Sequence, residues 1–133
     1  MIAYSHPNTL PRPTEAELAI LRVLWKRGPS TVREVLEEIC RSQDTGYTTV
    51  LKLMQIMTEK GLVKRDEAGR SHIYQPTLAE EATQQQLVCD LLDRAFGGSA
   101  QKLVLQALAA RPADPQELAE IRRLIQAFER RKP

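Results

Sequence analysis

The sequence predicts a mostly α-helical chain interrupted once, near its middle, by a small β-hairpin. Three observations predict it. Apolar residues recur at helical spacing behind side-chain caps at Thr14, Thr31, Thr77, Ser99 and Asp114. Residues 62–75 alternate instead, on either side of a glycine-containing turn. The chain has 133 residues, 42% of them hydrophobic, which suffices for one domain, or a small domain with an appendage.

Residues 1–13 hold Pro7, Pro11 and Pro13 and show no apolar periodicity. They read as a flexible arm that carries His6 and puts Arg12 within reach of a phosphate. Thr14 and Glu17 then form a capping box. Leu18, Leu21, Val23, Leu24 and Trp25 follow at helical spacing until Gly28-Pro29 stops the helix. Trp25, the single tryptophan, is expected to anchor the core. Thr31 and Glu34 make a second box, and Val35, Leu36 and Ile39 give an inner face to a helix running to about Arg41. Residues 42–46 are a polar connector of the length found between packed helices.

The stretch from Gly46 to Gly61 reads as a helix of about four turns. Tyr47, Thr48 and Thr49 occupy its first turn and Lys52 lies one turn on, while Leu53, Met54, Ile56 and Met57 supply an apolar face. Hydroxyls and a cation lead, and an anchor follows. A helix needs that arrangement to enter a DNA major groove end-first while resting on a core. An ordinary amphipathic helix has the same pattern, so the neighbours decide. Two short strands come next, Leu62–Arg65 and Ser71–Gln75, around a turn over residues 66–70. The alternation puts Ile73 on one face and His72 and Tyr74 on the other, and Pro76 ends the hairpin. A hairpin directly behind such a helix is a wing, with Gly69-Arg70 at the height of a backbone phosphate or minor groove. Residues 14–76 are therefore expected to form a winged helix-turn-helix domain. Its candidate DNA contacts are Tyr47, Thr48, Thr49, Lys52, Lys64, Arg65, Arg70 and His72.

Residues 77–133 read as three further helices. Thr77 and Glu80 suggest a third capping box, leading into Leu87, Val88, Leu91, Leu92 and Phe96. Ser99 caps a helix bearing Leu103, Val104, Leu105 and Leu108. Asp114, Pro115 and Glu117 open the last, whose positions 118, 121, 125 and 128 make a short heptad seam. These helices carry more apolar surface than they can bury among themselves. A second copy of the chain is the commonest partner for such a face, although it could also fold back on the first domain. The expected homodimer interface comprises Leu91, Leu103, Leu108, Leu118, Ile121, Leu124, Ile125 and Phe128.

Other chemistries find no support. No phosphate-binding loop, metal-ligand spacing or nucleophile motif occurs, so no enzyme, cofactor or metal is expected. Cys40 and Cys89 read as buried, reduced thiols of a cytoplasmic protein. No secretory signal or bilayer-length apolar run is present, so membrane insertion is not expected. The net charge of +2 permits DNA binding without demanding it; the slight basic excess lies in residues 1–75, with 11 Lys and Arg against 9 Asp and Glu.

Tyr47-Thr48-Thr49-Val50 through Glu59-Lys60-Gly61-Leu62-Val63, then Gly69-Arg70 and Tyr74-Gln75-Pro76, resemble the penicillinase-repressor (BlaI/MecI-type) family of bacterial winged-helix regulators. The resemblance spans about Thr14 to Arg131. It implies a homodimeric repressor on an operator dyad of double-stranded DNA, with the tail as dimer interface. It also implies base contacts at Thr48, Thr49 and Lys52 and a backbone contact at Arg70. In the best-known members a membrane metalloprotease sensor relieves repression by cutting an Asn-Phe bond in the tail. The matching bond here is Gln106–Ala107, of different composition. The cysteine-rich C-terminus of the copper-responsive branch is absent. Two other readings of the residues stay open: a winged-helix protein-interaction module without a DNA role, and a ligand-sensing winged-helix regulator.

Overall fold

In a computed structural model, which describes residues 10–131, capping chemistry starts the first two helices where the sequence places them. The Thr14 hydroxyl accepts from the Glu17 amide (3.2 Å) and the Glu17 carboxylate accepts from the Thr14 amide (2.9 Å), opening α1 (Glu15–Arg27). Thr31 and Glu34 repeat the arrangement at 3.2 and 2.9 Å to open α2 (Val32–Ile39). This helix stops short of Arg41, with Cys40 as its C-cap. Next comes α3 (Tyr47–Lys60), closed by Gly61 at φ 85°. The Leu62 amide there turns back to the Met57 carbonyl at 2.9 Å. A side chain at Gly61 would be strained by this left-handed backbone, and its Cβ would stand 3.2 Å from Leu10 Cδ2. The wing is an antiparallel pair, β1 (Val63–Asp66) and β2 (Ile73–Pro76), with Val63 opposite Pro76 and Asp66 opposite Ile73. Three helices follow: α4 (Glu80–Ala95), α5 (Ala100–Ala110) and α6 (Pro115–Arg130).

The chain divides into two compact units between Asp90 and Leu91, inside α4. The first unit holds the core. Ile20, Leu21 and Leu24 of α1 meet Val35 and Ile39 of α2, Val50, Met54 and Met57 of α3, and Val63 and Tyr74 of the wing. Trp25 packs at the edge of this cluster and its indole N–H donates to the Leu78 carbonyl at 3.0 Å. The tryptophan thus anchors the segment that leads into α4 as well as the core.

Several elements differ from their sequence reading, each for a local reason. Within β2 the inward residue is Tyr74, 1% exposed, while Ile73 is half-buried. Ser30 and Tyr74 exchange both backbone hydrogen bonds (3.0 and 2.8 Å), so the α1–α2 turn adds a one-residue bridge to the wing. That pairing, and not the hydropathy of Ile73, sets which face turns inward. Thr77 does not cap α4. Its hydroxyl donates to the Gly61 carbonyl at 2.6 Å and its amide to Leu62 at 3.0 Å, fastening the hairpin to the end of α3. The buried face of α4 is Thr83, Gln86 and Cys89, whereas Val88 and Leu91 are exposed. Gln86 is turned inward because the Leu10 carbonyl needs a donor, which its amide supplies at 2.6 Å. Arg12, expected to be available to a phosphate, pairs with Asp90. Leu10–Pro13 of the expected arm is therefore held, while residues 1–9, with His6, lie outside the described residues. Cys89 is buried as expected. Cys40 is exposed, because it sits at the open end of α2 with its Sγ 3.4 Å from the Thr45 carbonyl.

Glu17 has a second duty that its capping role hides. It is 2% exposed, and its Oε2 accepts from Lys60 Nζ at 2.8 Å, joining the start of α1 to the end of α3. Burial raises the Glu17 carboxyl. The Lys60 hydrogen bond, the Thr14 amide, the Lys60 charge and the Thr14 hydroxyl outweigh that and hold it below the usual value. A carboxyl lowered in the folded state stabilises the fold above its unfolded pKa, about 4.3. That stability is lost as pH falls from there through the folded value. Glu17→Gln keeps a capping-competent side chain but removes the charge. It should cost about 1–3 kcal/mol at neutral pH, less near pH 3. Thermal melts across that range test it; parallel curves for the two proteins would show that the ion pair contributes nothing.

The second unit is built differently. Gly97 and Gly98 take φ of 55° and 81°, and the Gly98 amide reaches back to the Leu92 carbonyl at 2.8 Å, which ends α4. Ser99 caps α5 and Asp114 caps α6, with Pro115 in its first position. No residue of α5 or α6 is buried, and Leu105, Ile125 and Phe128 are 61%, 51% and 63% exposed.

Candidate nucleic-acid interface

Helix α3 has two faces. Val50, Met54 and Met57, spaced four and three apart, are buried and hold it against α1 and α2. Tyr47, Thr48, Thr49 and Lys52 are all exposed on its leading turns. Thr14, Thr31, Ser99 and Asp114 cap their helices with side chains, whereas Gly46 supplies no side-chain acceptor to α3. Among the described residues, no side chain caps the first amides of α3 at the positive end of its dipole.

The wing carries further polar side chains. Lys64 lies exposed on β1, Arg70 in the turn, and His72 immediately before β2. Arg65 is placed differently. Its guanidinium pairs with Glu67 (Nε to Oε2, 2.7 Å), and the residue lies opposite Tyr74 in the strand register. Glu67 first and Tyr74 second push its pKa further up, so it is always charged but already answered. The turn itself is shaped by Asp66 Oδ1, which accepts from the Ala68 amide at 3.0 Å.

Between α2, α3 and the wing lies an open cleft of about 380 Å³. Thr31, Arg33, Tyr47, Arg70, Ser71 and His72 supply its polar lining, and no carboxylate lines it. It brings together Tyr47, Arg70 and His72 of the sequence-predicted contacts; Thr48, Thr49, Lys52, Lys64 and Arg65 stand outside it. Arg33 is new. Its Cζ sits 5.3 Å from the centroid of the Tyr47 ring, a cation–π contact. Nothing in the sequence separates Arg33 from other surface arginines, because the signal is spatial: α2 and α3 begin side by side.

The residues assigned to the tail are distributed over both its accessible and half-buried positions. Leu91, Leu124, Ile125 and Phe128 are exposed, and Leu103, Leu108, Leu118 and Ile121 are half-buried. Gln106 and Ala107 are exposed in α5. No described helix is long and apolar enough to cross a membrane.

Three helices, a two-stranded wing and a solvent-facing start to the third helix define a winged helix-turn-helix protein with a helical tail. The penicillinase repressor family model matches residues 13–127, and the chain belongs to that family. It is 23% identical over 123 residues to the penicillinase repressor of Bacillus licheniformis, covering 92% of this chain and 96% of that protein. It is 32% identical over 97 residues to the transcriptional regulator BlaI of Mycobacterium tuberculosis, covering 72% of this chain and 70% of that one. The solution structure of the DNA-binding domain of the repressor BlaI superimposes with a TM-score of 0.50 at 24% identity, over 56% of this chain and 90% of that domain.

Proposed function

We propose that this chain represses transcription as a homodimer on an operator dyad, placing the start of α3 in the major groove and the wing on the adjacent backbone. One observation carries the reading: Tyr47, Thr48, Thr49 and Lys52 are the exposed side of a helix whose other side is locked into the core. Family membership supports the repressor role. Thr48 and Thr49 suit thymine edges through methyl and hydroxyl, and Lys52 suits guanine O6 and N7. Lys64, Arg70 and His72 add sequence-independent affinity from the wing. Arg65 contributes less than its charge suggests, since Glu67 already holds it.

Lys52→Ala should cost about 1–3 kcal/mol on the preferred operator and little on scrambled duplex, because a base contact discriminates and a phosphate contact does not. Binding to an operator enriched from a random pool by the native protein checks this. Equal affinity of both proteins for every operator variant would remove Lys52 from base reading.

Release follows from the tail. The bond matching the family's cleavage position, Gln106–Ala107, lies in α5, so cutting it would sever α6 from the DNA-binding half. A membrane metalloprotease sensor is the corresponding partner. The backbone there is helical, so α5 must unwind locally before a protease can hold it in extended form. The repressor needs no membrane segment of its own and works in the cytoplasm, where its operator is.

A further inference from the structure

We infer that Arg33, on the first turn of α2, is a DNA-backbone contact, and that the cleft it shares with Tyr47, Arg70 and His72 is the seat of one duplex phosphate. The inference rests on the DNA-binding reading above and extends it to an element outside both the recognition helix and the wing.

Four observations converge. The cleft is lined by Arg33, Arg70, His72, Ser71, Tyr47 and the α2-capping Thr31, and by no acidic residue. Donors without acceptor charge select an anion with several oxygens. Arg33 is exposed and, among the described residues, has no ion-pair partner; its guanidinium lies over the Tyr47 ring. Its acidic neighbour Glu34 cannot neutralise it, being engaged by Thr31 and by Arg27 at 3.3 Å. The Tyr47 ring in turn holds the guanidinium beside the start of α3, which limits the freedom a long side chain must lose on binding.

Geometry favours a phosphate of the duplex over a free one. The cleft is open to solvent, and it borders the exposed first turn of α3. A helix that enters the major groove brings a strand of the backbone past its own N-terminal end and past the neighbouring helix. A phosphate on that strand would meet Arg33 from α2 and Arg70 from the wing, so the recognition helix would be clamped in register from both sides. Tyr47 then acts as a positioning residue, as the platform for Arg33.

The test uses the full chain and a random-sequence duplex, since a backbone contact is indifferent to sequence. Association constants of the native protein, Arg33→Ala, Arg33→Lys and Tyr47→Leu are measured between 50 and 200 mM salt. Losing one phosphate contact lowers the slope of log K against log salt by about 0.9, so the native-to-Arg33→Ala affinity ratio should shrink about 3.5-fold across that range. Arg33→Lys should retain the native slope. Tyr47→Leu should weaken binding, and add little when combined with Arg33→Ala. Native binding with an unchanged slope in Arg33→Ala overturns the inference while leaving the DNA reading intact. No native binding at 50 mM salt overturns the DNA reading itself. Inorganic phosphate at matched ionic strength is the remaining arm. If it displaces the duplex from the native protein but not from Arg33→Ala, the cleft is a site for free anions and the assignment to the duplex fails.

Discussion

Replacing Ile125 and Phe128 together with aspartate is expected to turn the protein into a monomer and to remove most of its operator affinity. Both residues lie on α6 with more than half their surface open, at 51% and 63% exposure, so a monomer should tolerate the change. Ile121, four positions before Ile125 and seven before Phe128 on the same seam, is half-buried and a poorer choice for that reason. Fully burying an isoleucine or phenylalanine is worth about 1.5–3 kcal/mol each, and a twofold interface counts every residue twice. In the proposed dimer four such side chains would be replaced by carboxylates that pairing would have to desolvate. The functional loss is larger than the contact loss. Two half-site contacts joined through one body gain on the order of 10²–10⁴ in avidity, and a monomer forfeits that gain. Sedimentation velocity and operator titration on the same preparations check both parts. A variant that still sediments as a dimer would move the interface off α6. Monomers that keep full operator affinity would show that pairing is not what holds the repressor on its dyad.

Tyr74→Ala is expected to destabilise the winged-helix unit by about 3–5 kcal/mol, the range for emptying a buried aromatic site. The side chain is 1% exposed and sits where β2, the Ser30 bridge and the core meet. For a domain with a margin of about 5–15 kcal/mol, that loss leaves a substantial unfolded population at physiological temperature. Tyr74→Phe separates packing from polarity. It keeps the ring, gives up only the hydroxyl, and should cost about 0.5–1.5 kcal/mol. Urea unfolding followed through the tryptophan signal reads both, because Trp25 borders the same core. A loss below 1.5 kcal/mol for Tyr74→Ala would mean that the wing is not packed as an integral part of the domain.

These two residues show where sequence reading succeeds and where it stops. Phe128 belongs to a heptad seam visible in the order of apolar residues, and its exposure follows from that seam having nothing in its own helix to meet. Tyr74 belongs to a strand of only four residues, too short for alternation to say which face is inside. Its orientation is decided by Ser30, forty-four positions earlier, which has no strand pattern of its own. Helix α4 makes the same point. The apolar periodicity of its sequence does not mark Thr83 and Gln86, which are nonetheless buried together with Cys89. A carbonyl brought over by the chain at Leu10 called for an amide at that spot.

The candidate interface divides along the same line. Tyr47, Thr48, Thr49 and Lys52 could be placed from sequence because a helix converts spacing directly into direction, and Lys64, Arg70 and His72 because a short turn limits where they can point. Arg33 could not, since its importance comes only from the approach of α2 to the first turn of α3. Arg65 looked equivalent to Lys64 until the turn brought Glu67 back against it.

By itself, then, the sequence determined what is local: the capping boxes at Thr14 and Thr31, the glycine stop at Gly61, the order of helices and hairpin, and the polar leading turn of α3. Each depends on residues within about one or two helical turns, where chain connectivity already dictates geometry. Only the tertiary structure decided the pairing of Glu17 with Lys60, the inward turn of Tyr74, the polar buried face of α4 and the cleft that joins Arg33 to Tyr47, Arg70 and His72. Those features depend on which distant groups meet and on whether a buried donor or charge finds its partner there, and no periodicity in the chain records that.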